Sequence, residues 1–206
     1  MARPSLTEQE IADFREKLCE IAARRFAEQG FAGVSLRGLA RELGCSPTTP
    51  YRYFENKDEI FAVVRARAFE RLAEYARPFL EDRGEPLGQL EELGFAYLRF
   101  AREEPDAYRI AFELHQPDAI IYPELLRSRK NAWQAIRAVV KRAIEAGEIE
   151  GELDVVSHVF WAGMHGLASL DLSGQLQSAP GKKLEKAMMQ TMLRGVFPAK
   201  KGVEDD

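Results

Sequence analysis

Apolar residues recur at three- and four-residue spacing from one end of this chain to the other, and glycines and prolines cut the runs into lengths that suit helices. Alternation with β-branched residues, the mark of a half-buried strand, hardly occurs. The expected fold class is therefore all-α, with about nine helices. Thr7 and Glu10 form a capping box ahead of Ile11, Phe14, Leu18, Ala22 and Phe26, and Gly30 stops that helix. Ser35 caps a short second helix with a buried stripe of Leu36, Leu39, Ala40 and Leu43, and Gly44 ends it. Ser46 caps a third, with Pro47 at its first position, where a missing N–H costs nothing. Asn56, with Glu59 three residues on, caps a fourth that runs through Phe61, Val64, Ala68, Leu72 and Tyr75 to Pro78. Further helices are expected from about Leu87 to Arg102, around Tyr108 to Leu114, from about Pro123 to Ala146, from an Asp154 cap to Leu172, and beyond Gly181 to about Phe197.

Length and composition bound the class. The chain has 206 residues, 46% hydrophobic and 30% charged, enough for a small domain and a medium one with real cores. Only Lys200 to Asp206 lacks periodicity. Cys19 and Cys45 are too few for a disulfide framework, which predicts free thiols in a reducing compartment. Met1 to Thr7 has no apolar h-region, and no apolar run approaches the ~18 residues that would span a membrane. A cytoplasmic protein without membrane contact is expected. The net charge of −4 runs against nucleic-acid binding over the whole chain. Locally the balance reverses: between Ser35 and Lys57, Arg37, Arg41, Arg52 and Lys57 outnumber Glu42 and Glu55.

That basic stretch carries the functional motif. Two short helices joined by a tight turn near the N-terminus read as a helix-turn-helix. In such a motif the second helix enters the major groove with its N-terminal residues on base edges. Here those residues are Pro47, Thr48 and Thr49, whose hydroxyls and methyls suit base edges, including the thymine methyl, and the cap Ser46 ahead of them is a further candidate for DNA contact. Tyr51, Arg52, Tyr53 and Lys57 can reach phosphates, with Phe54 as buried anchor, and Ser35 and Arg37 should touch the backbone across the groove. Lys57 would add its charge to a helix N-terminus, whose N–H groups already favour an anion. Any one of these aromatic or basic residues could be plain core or solvated surface; the constellation, with both caps and the turn glycine, favours double-stranded DNA as partner.

The stretch from Val34 to Phe61 resembles the DNA-binding domain of the TetR family of transcriptional regulators, in its Gly44, Ser46, Tyr51, Tyr53-Phe54 and Lys57 pattern. The resemblance covers about the first quarter of the chain. It implies a homodimer, usually a repressor, that binds a palindromic operator and is released by a small ligand in the C-terminal domain. Trp161-Ala-Gly-Met-His165-Gly166 is similar to the Trp-His-Gly signature of one C-terminal subclass. Two positions depart from the family pattern. Cys45 stands where Val is commoner and can pack alike. Pro50 stands where the family usually has Leu or Ile, removes a backbone donor from the recognition helix, and disfavours helical geometry at Thr49.

The expected organisation is a helix-turn-helix domain over residues 1–60 and a helical regulatory and dimerisation domain over 61–206. The segment from Asp154 to Leu172 is apolar nearly all round, so it should be buried all round, one face on its own bundle and the other on a second subunit. Val156, Phe160, Gly163 and Leu167, with Leu184, Met188 and Met192 of the last helix, are the expected dimerisation residues. Gly163 and Gly166 would allow close approach. A small apolar or aromatic ligand would meet Phe95, Tyr108, Phe112, His115, Trp133, Trp161 and His165, from a supply of aromatics that also includes Tyr97, Phe100 and Phe160. Gln116 and Gln134 are further polar candidates, although most of these aromatics could equally be core. No catalytic motif, cofactor or metal is expected: His158 and His165 lie two helical turns apart, about 10 Å along the axis, too far to share one ion. The competing readings are a helical protein-interaction module, a ligand-independent regulator or activator, and, least supported, an enzyme with a DNA-binding appendage.

Overall fold

The computed structural model describes residues 7–81, 84–114, 121–176 and 181–195. It is helical, with no strand among the described residues. The α-helices are α1 (Glu8–Gly33), α2 (Leu36–Glu42), α3 (Lys57–Ala76), α4 (Pro86–Glu103), α5 (Pro105–Tyr108), α6 (Pro123–Glu145), α7 (Leu153–Leu172) and α8 (Gly181–Gly195). Short 3₁₀ turns occupy Pro50–Arg52 and Arg77–Phe79, and a π turn occupies Arg109–Glu113.

Several ends follow from sequence chemistry. Thr7 Oγ1 accepts from Glu10 N at 3.2 Å while Glu10 accepts from Thr7 N at 2.8 Å, closing the capping box reciprocally. Gly30, at φ 69°, breaks α1, and one further turn follows it. After α2, Gly44 takes φ 72°, Cys45 N bonds Ala40 O at 2.9 Å and Gly44 N bonds Arg41 O at 3.2 Å, the pair of bonds that ends a helix on a left-handed residue. Asn56 Oδ1 accepts from Glu59 N at 2.9 Å at the start of α3, but Glu59 reaches back to Glu55 N at 2.6 Å instead of to Asn56. Asp154 is not a cap: Glu152 holds that position without a side-chain bond, and Asp154 sits in the first turn of α7, paired with Arg137.

The chain forms two compact units. One comprises residues 1–71 and 106–129, the other 72–105 and 130–206. In the first, Leu18, Ala22 and Phe26 of α1 are buried with Leu39 and Ala40 of α2, Phe54, and Ile60, Phe61 and Val64 of α3. Rings of Phe26, Phe31 and Phe61 meet at centroid distances of 4.8 to 5.9 Å. Ile11 is exposed, as is every residue from Thr7 to Asp13. In the second unit, α4, α7 and α8 pack on one another. Gly94 of α4 leaves room for the methionines of the other two helices: a Cβ there would lie 1.9 Å from Met189 Cε and 3.1 Å from Met164 Sδ. Arg102 of α4 joins the same helices on the polar side, bonding Asp171 at 2.8 Å and the buried Glu185 at 2.7 Å.

Candidate nucleic-acid interface

The expected recognition helix from Ser46 to Tyr53 is a chain of tighter turns. Thr49 N bonds Ser46 O at 2.8 Å, Arg52 N bonds Thr49 O at 3.0 Å and Tyr53 N bonds Pro50 O at 3.0 Å, so the ladder steps by three residues. The cause is Pro50, which has no N–H to offer Ser46 O in the α-helical pattern. Phe54 N also bonds Pro50 O at 3.0 Å, which closes the turn onto the buried Phe54. Thr49 itself takes φ −62° and ψ −45°, helical values, so the expected displacement of the residue before the proline does not occur. The segment is pinned on both sides, and Pro50 itself is buried.

A three-residue step brings residues i and i+3 onto one edge. Pro47, Thr48, Tyr51 and Arg52 are exposed, and Tyr51 is 58% accessible. Ser46 and Thr48 share a hydroxyl–hydroxyl bond of 3.0 Å, and Thr49 is half-buried. Ser35 caps α2, accepting from Gly38 N at 3.2 Å, with Arg37 exposed beside it. Arg37, Arg41 and Arg52 make no ion pair with any described residue.

Two acids of the same region are occupied. Glu42 bonds Arg25 at 2.6 Å and also pairs with Arg24, and these bonds, Arg25's first, hold its carboxyl below the ordinary carboxylate range. Glu59 pairs with Arg15 at 3.3 Å. Arg15 also donates to Tyr53 O and lies 4.0 Å from the Phe54 ring centroid, while Tyr53 stacks on Phe14 at 4.1 Å. None of Arg15, Arg24 and Arg25 was among the expected functional residues. Their partners in this region lie 17 to 44 positions away, and no local spacing joins them to it. Together they tie the turn and the start of α3 to α1 and leave the cations of α2 and the turn with net charge to spare.

Lys57 is placed differently from expectation. Its Nζ donates to Phe31 O at 2.8 Å and Val34 O at 3.0 Å and lies 4.0 Å from the Phe31 ring centroid. Two of its three N–H donors therefore serve carbonyls at the end of α1, and one remains for a phosphate.

The residues expected to meet a ligand divide between the units. Tyr108 and Phe112 lie in the first, with rings 5.2 Å apart. Phe95, Trp133, Trp161 and His165 lie in the second, and His115 and Gln116 fall outside the described residues. Trp161 and His165 stack at 5.4 Å, Trp133 meets Trp161 edge-on at 6.0 Å, and Tyr97 Oη bonds His165 Nδ1 at 3.0 Å. His158 extends this cluster, 4.6 Å from Trp133. Among the described residues no group of three His, Cys, Asp or Glu side chains is placed to hold a metal.

The residues expected at a subunit interface are covered to different degrees within the single chain. Val156, Phe160 and Leu167 are buried in their own unit, and Leu184, Met188 and Met192 are half-buried, with Glu185, Met189 and Leu193 the covered residues of α8. Gly163 does serve a close approach, but to α8 of the same chain: a Cβ would lie 2.2 Å from Met192 Sδ. Gly166 has open space beside it. The face of α7 left uncovered is offset by one position, through Val155, Val159 and Leu170, which are 55%, 46% and 47% exposed.

Residues 18–64 match the model of the bacterial regulatory proteins of the tetR family, and residues 90–195 match that of the tetracyclin repressor-like C-terminal domain. Among solved structures, the chain is similar to a protein of unknown function from Rhodococcus sp. RHA1, at 26% identity and TM-score 0.76, over 89% of this chain and 95% of that one. It is also similar to a TetR family transcription regulator from Marinobacter aquaeolei VT8, at 19% identity and TM-score 0.71, over 94% and 100%. The fold extends to the fatty acid degradation regulator FadR from Bacillus halodurans, at 15% identity and TM-score 0.69, over 88% and 98%.

Proposed function

Because this chain belongs to the tetR family of bacterial regulatory proteins, DNA-binding transcription regulators and not enzymes, we propose that it is a ligand-responsive repressor. It binds a palindromic operator in double-stranded DNA as a homodimer and is released by a small apolar or aromatic molecule. Residues 1–60 form the reading module in this proposal and 61–206 the regulatory and dimerisation part. The observation that carries it is the pairing pattern of the helix-turn-helix. Glu42 and Glu59 are paired from α1, while Arg37, Arg41 and Arg52 make no ion pair with any described residue.

In this reading Arg37, Arg41, Arg52 and the remaining donor of Lys57 contact phosphates and set register, while Pro47, Thr48, Thr49 and Tyr51 face base edges. The dimer forms through the uncovered face of α7 at Val155, Val159 and Leu170, flanked by half-buried Leu184, Met188 and Met192 of α8. A stripe of valine and leucine this exposed favours a protein surface over water. The stacked Trp161 and His165 support a reading of the second part as one of the Trp-His-Gly subclass. Ligand works by population shift, binding better to the conformation whose reading heads are wrongly spaced for half-sites one helical turn apart, about 34–36 Å. No helix among the described residues is long and apolar enough to cross a membrane, and the cytoplasm is the expected compartment.

Selection of bound duplexes from a random DNA library, followed by affinity against salt, tests this. The expected result is a palindromic consensus whose binding falls steeply with salt. Enrichment of a lone half-site, or a flat salt dependence, would sink the dimeric DNA-reading proposal.

A further inference from the structure

A cleft of about 410 Å³ lies between the end of α1 and α2, inside the unit that carries the helix-turn-helix. Arg25, Gln29, Ser35, Gly38, Arg41 and Glu42 are among the residues that line it. Ser35 and Arg41 are proposed DNA contacts, so the cleft borders the path proposed for the phosphate backbone. Glu42 is the acid of that lining, and each of its carboxylate oxygens is taken by a guanidinium of α1. Arg24 Nη2 pairs with Oε1, and Arg25 Nε bonds Oε2 at 2.6 Å. Arg24 is exposed and Arg25 is half-buried, so both stand within reach of solvent.

An ion pair this exposed adds little to stability, because water screens it and two long side chains must be held still. Its effect on a polyanion is larger. A guanidinium that meets a duplex phosphate makes a charge-assisted bond and releases condensed counterions. With Glu42 in place, a phosphate entering the cleft must displace the carboxylate from an arginine and then lie beside it, like charge against like charge. Without that charge, Arg24 and Arg25 would join Arg41 as cations facing the same cleft.

We propose that Glu42 is a specificity-determining residue: it holds Arg24 and Arg25 away from phosphates and restrains sequence-independent attraction to double-stranded DNA. This rests on the DNA-reading part of the proposal above. On an operator, base contacts fix the register of the protein, and phosphates lie where that register puts them. On unrelated duplex the protein is free to settle wherever its cations meet the most phosphates. The restraint therefore bears hardest on unrelated sequence, and Glu42 raises discrimination without touching a base.

The test measures affinity of the full chain for a duplex of random sequence across a range of salt, beside affinity for the selected palindrome. Glu42→Gln keeps the length of the side chain and removes its charge. Glu150→Gln, at an exposed position of the other unit, makes the same change in net charge. In Glu42→Gln, random-duplex affinity should rise about tenfold at about 0.1 M salt and the salt slope should steepen by about one, the change made by one added phosphate contact. Affinity for the palindrome should rise less, so that discrimination narrows. Glu150→Gln should leave the slope unchanged, and adding Arg24→Gln and Arg25→Gln to Glu42→Gln should return it to that of the wild type. A purely structural tie between α1 and α2 would move the urea midpoint and not the slope. An unchanged slope in Glu42→Gln, a rise matched by Glu150→Gln, or a rise that survives the loss of both arginines overturns the proposal. The two levels separate cleanly. A palindrome selected by the wild type, with random-duplex binding unaltered in Glu42→Gln, removes the restraint and leaves the regulator. No salt-dependent binding to any duplex by either protein removes both.

Discussion

Lys57 shows how one side chain can match a motif and serve it indirectly. Sequence places it beside a helix N-terminus with a free charge, whereas in the fold its amine closes two carbonyls at the end of α1 and covers the Phe31 ring. Those carbonyls border Ser35, the cap of α2, so the lysine locks the entrance to the helix-turn-helix. Lys57→Ala is expected to lower stability by about 1–3 kcal/mol, the usual cost of losing bonds to a charged donor. Urea unfolding without DNA reads this, and an unchanged midpoint would return Lys57 to the surface. The same substitution should weaken binding to all duplexes alike. Arg15 acts similarly, holding the carbonyl of Tyr53, the carboxylate of Glu59 and the ring of Phe54.

At the level of elements, the turn that follows Gly44 depends on Pro50. An α-helix there would need a donor at position 50; without one, the Ser46 carbonyl is taken by Thr49 N and the ladder tightens. Pro50→Ala restores the donor. The expected outcome is a change in the DNA sequence selected at the positions nearest the turn, because Thr48 and Tyr51 move relative to one another. Stability should shift by no more than about 1 kcal/mol, the usual range for exchanging proline at a position with compatible backbone. An identical consensus from both proteins would mean that the turn keeps its form without the proline. In α7 the helix is legible from sequence and its facing is not. A segment apolar at nearly every position has no polar side to orient it: Val156 and Phe160, expected at a subunit interface, are buried within the chain, while Val155 and Val159 are exposed.

For the molecule as a whole, net charge hides the arrangement that matters. A chain of −4 presents a basic edge because Glu42 and Glu59 are taken by arginines of α1. The other exposed feature is the apolar stripe of α7, and the proposed dimer stands on it. Val159→Lys puts a charge in the middle of that stripe, at a position 46% exposed in the single chain, so folding should tolerate it. Sedimentation should then give the mass of one chain where the wild type gives two, and affinity for the full palindrome should fall toward that of a half-site. A variant that still sediments as a dimer would move the interface elsewhere.

Helix type, most helix ends and the helix-turn-helix were readable from the residues alone. Caps such as Thr7 and Ser35, the left-handed Gly44 and the period of the apolar stripes act within a few positions of chain, where bonding geometry is local. The direction of the α7 and α8 faces, the pairing of Glu42 and Glu59 with arginines of α1 and the diversion of Lys57 to carbonyls were not readable. Each depends on which groups meet across tens of residues, and a side chain's partner is chosen by the packing of whole helices against one another.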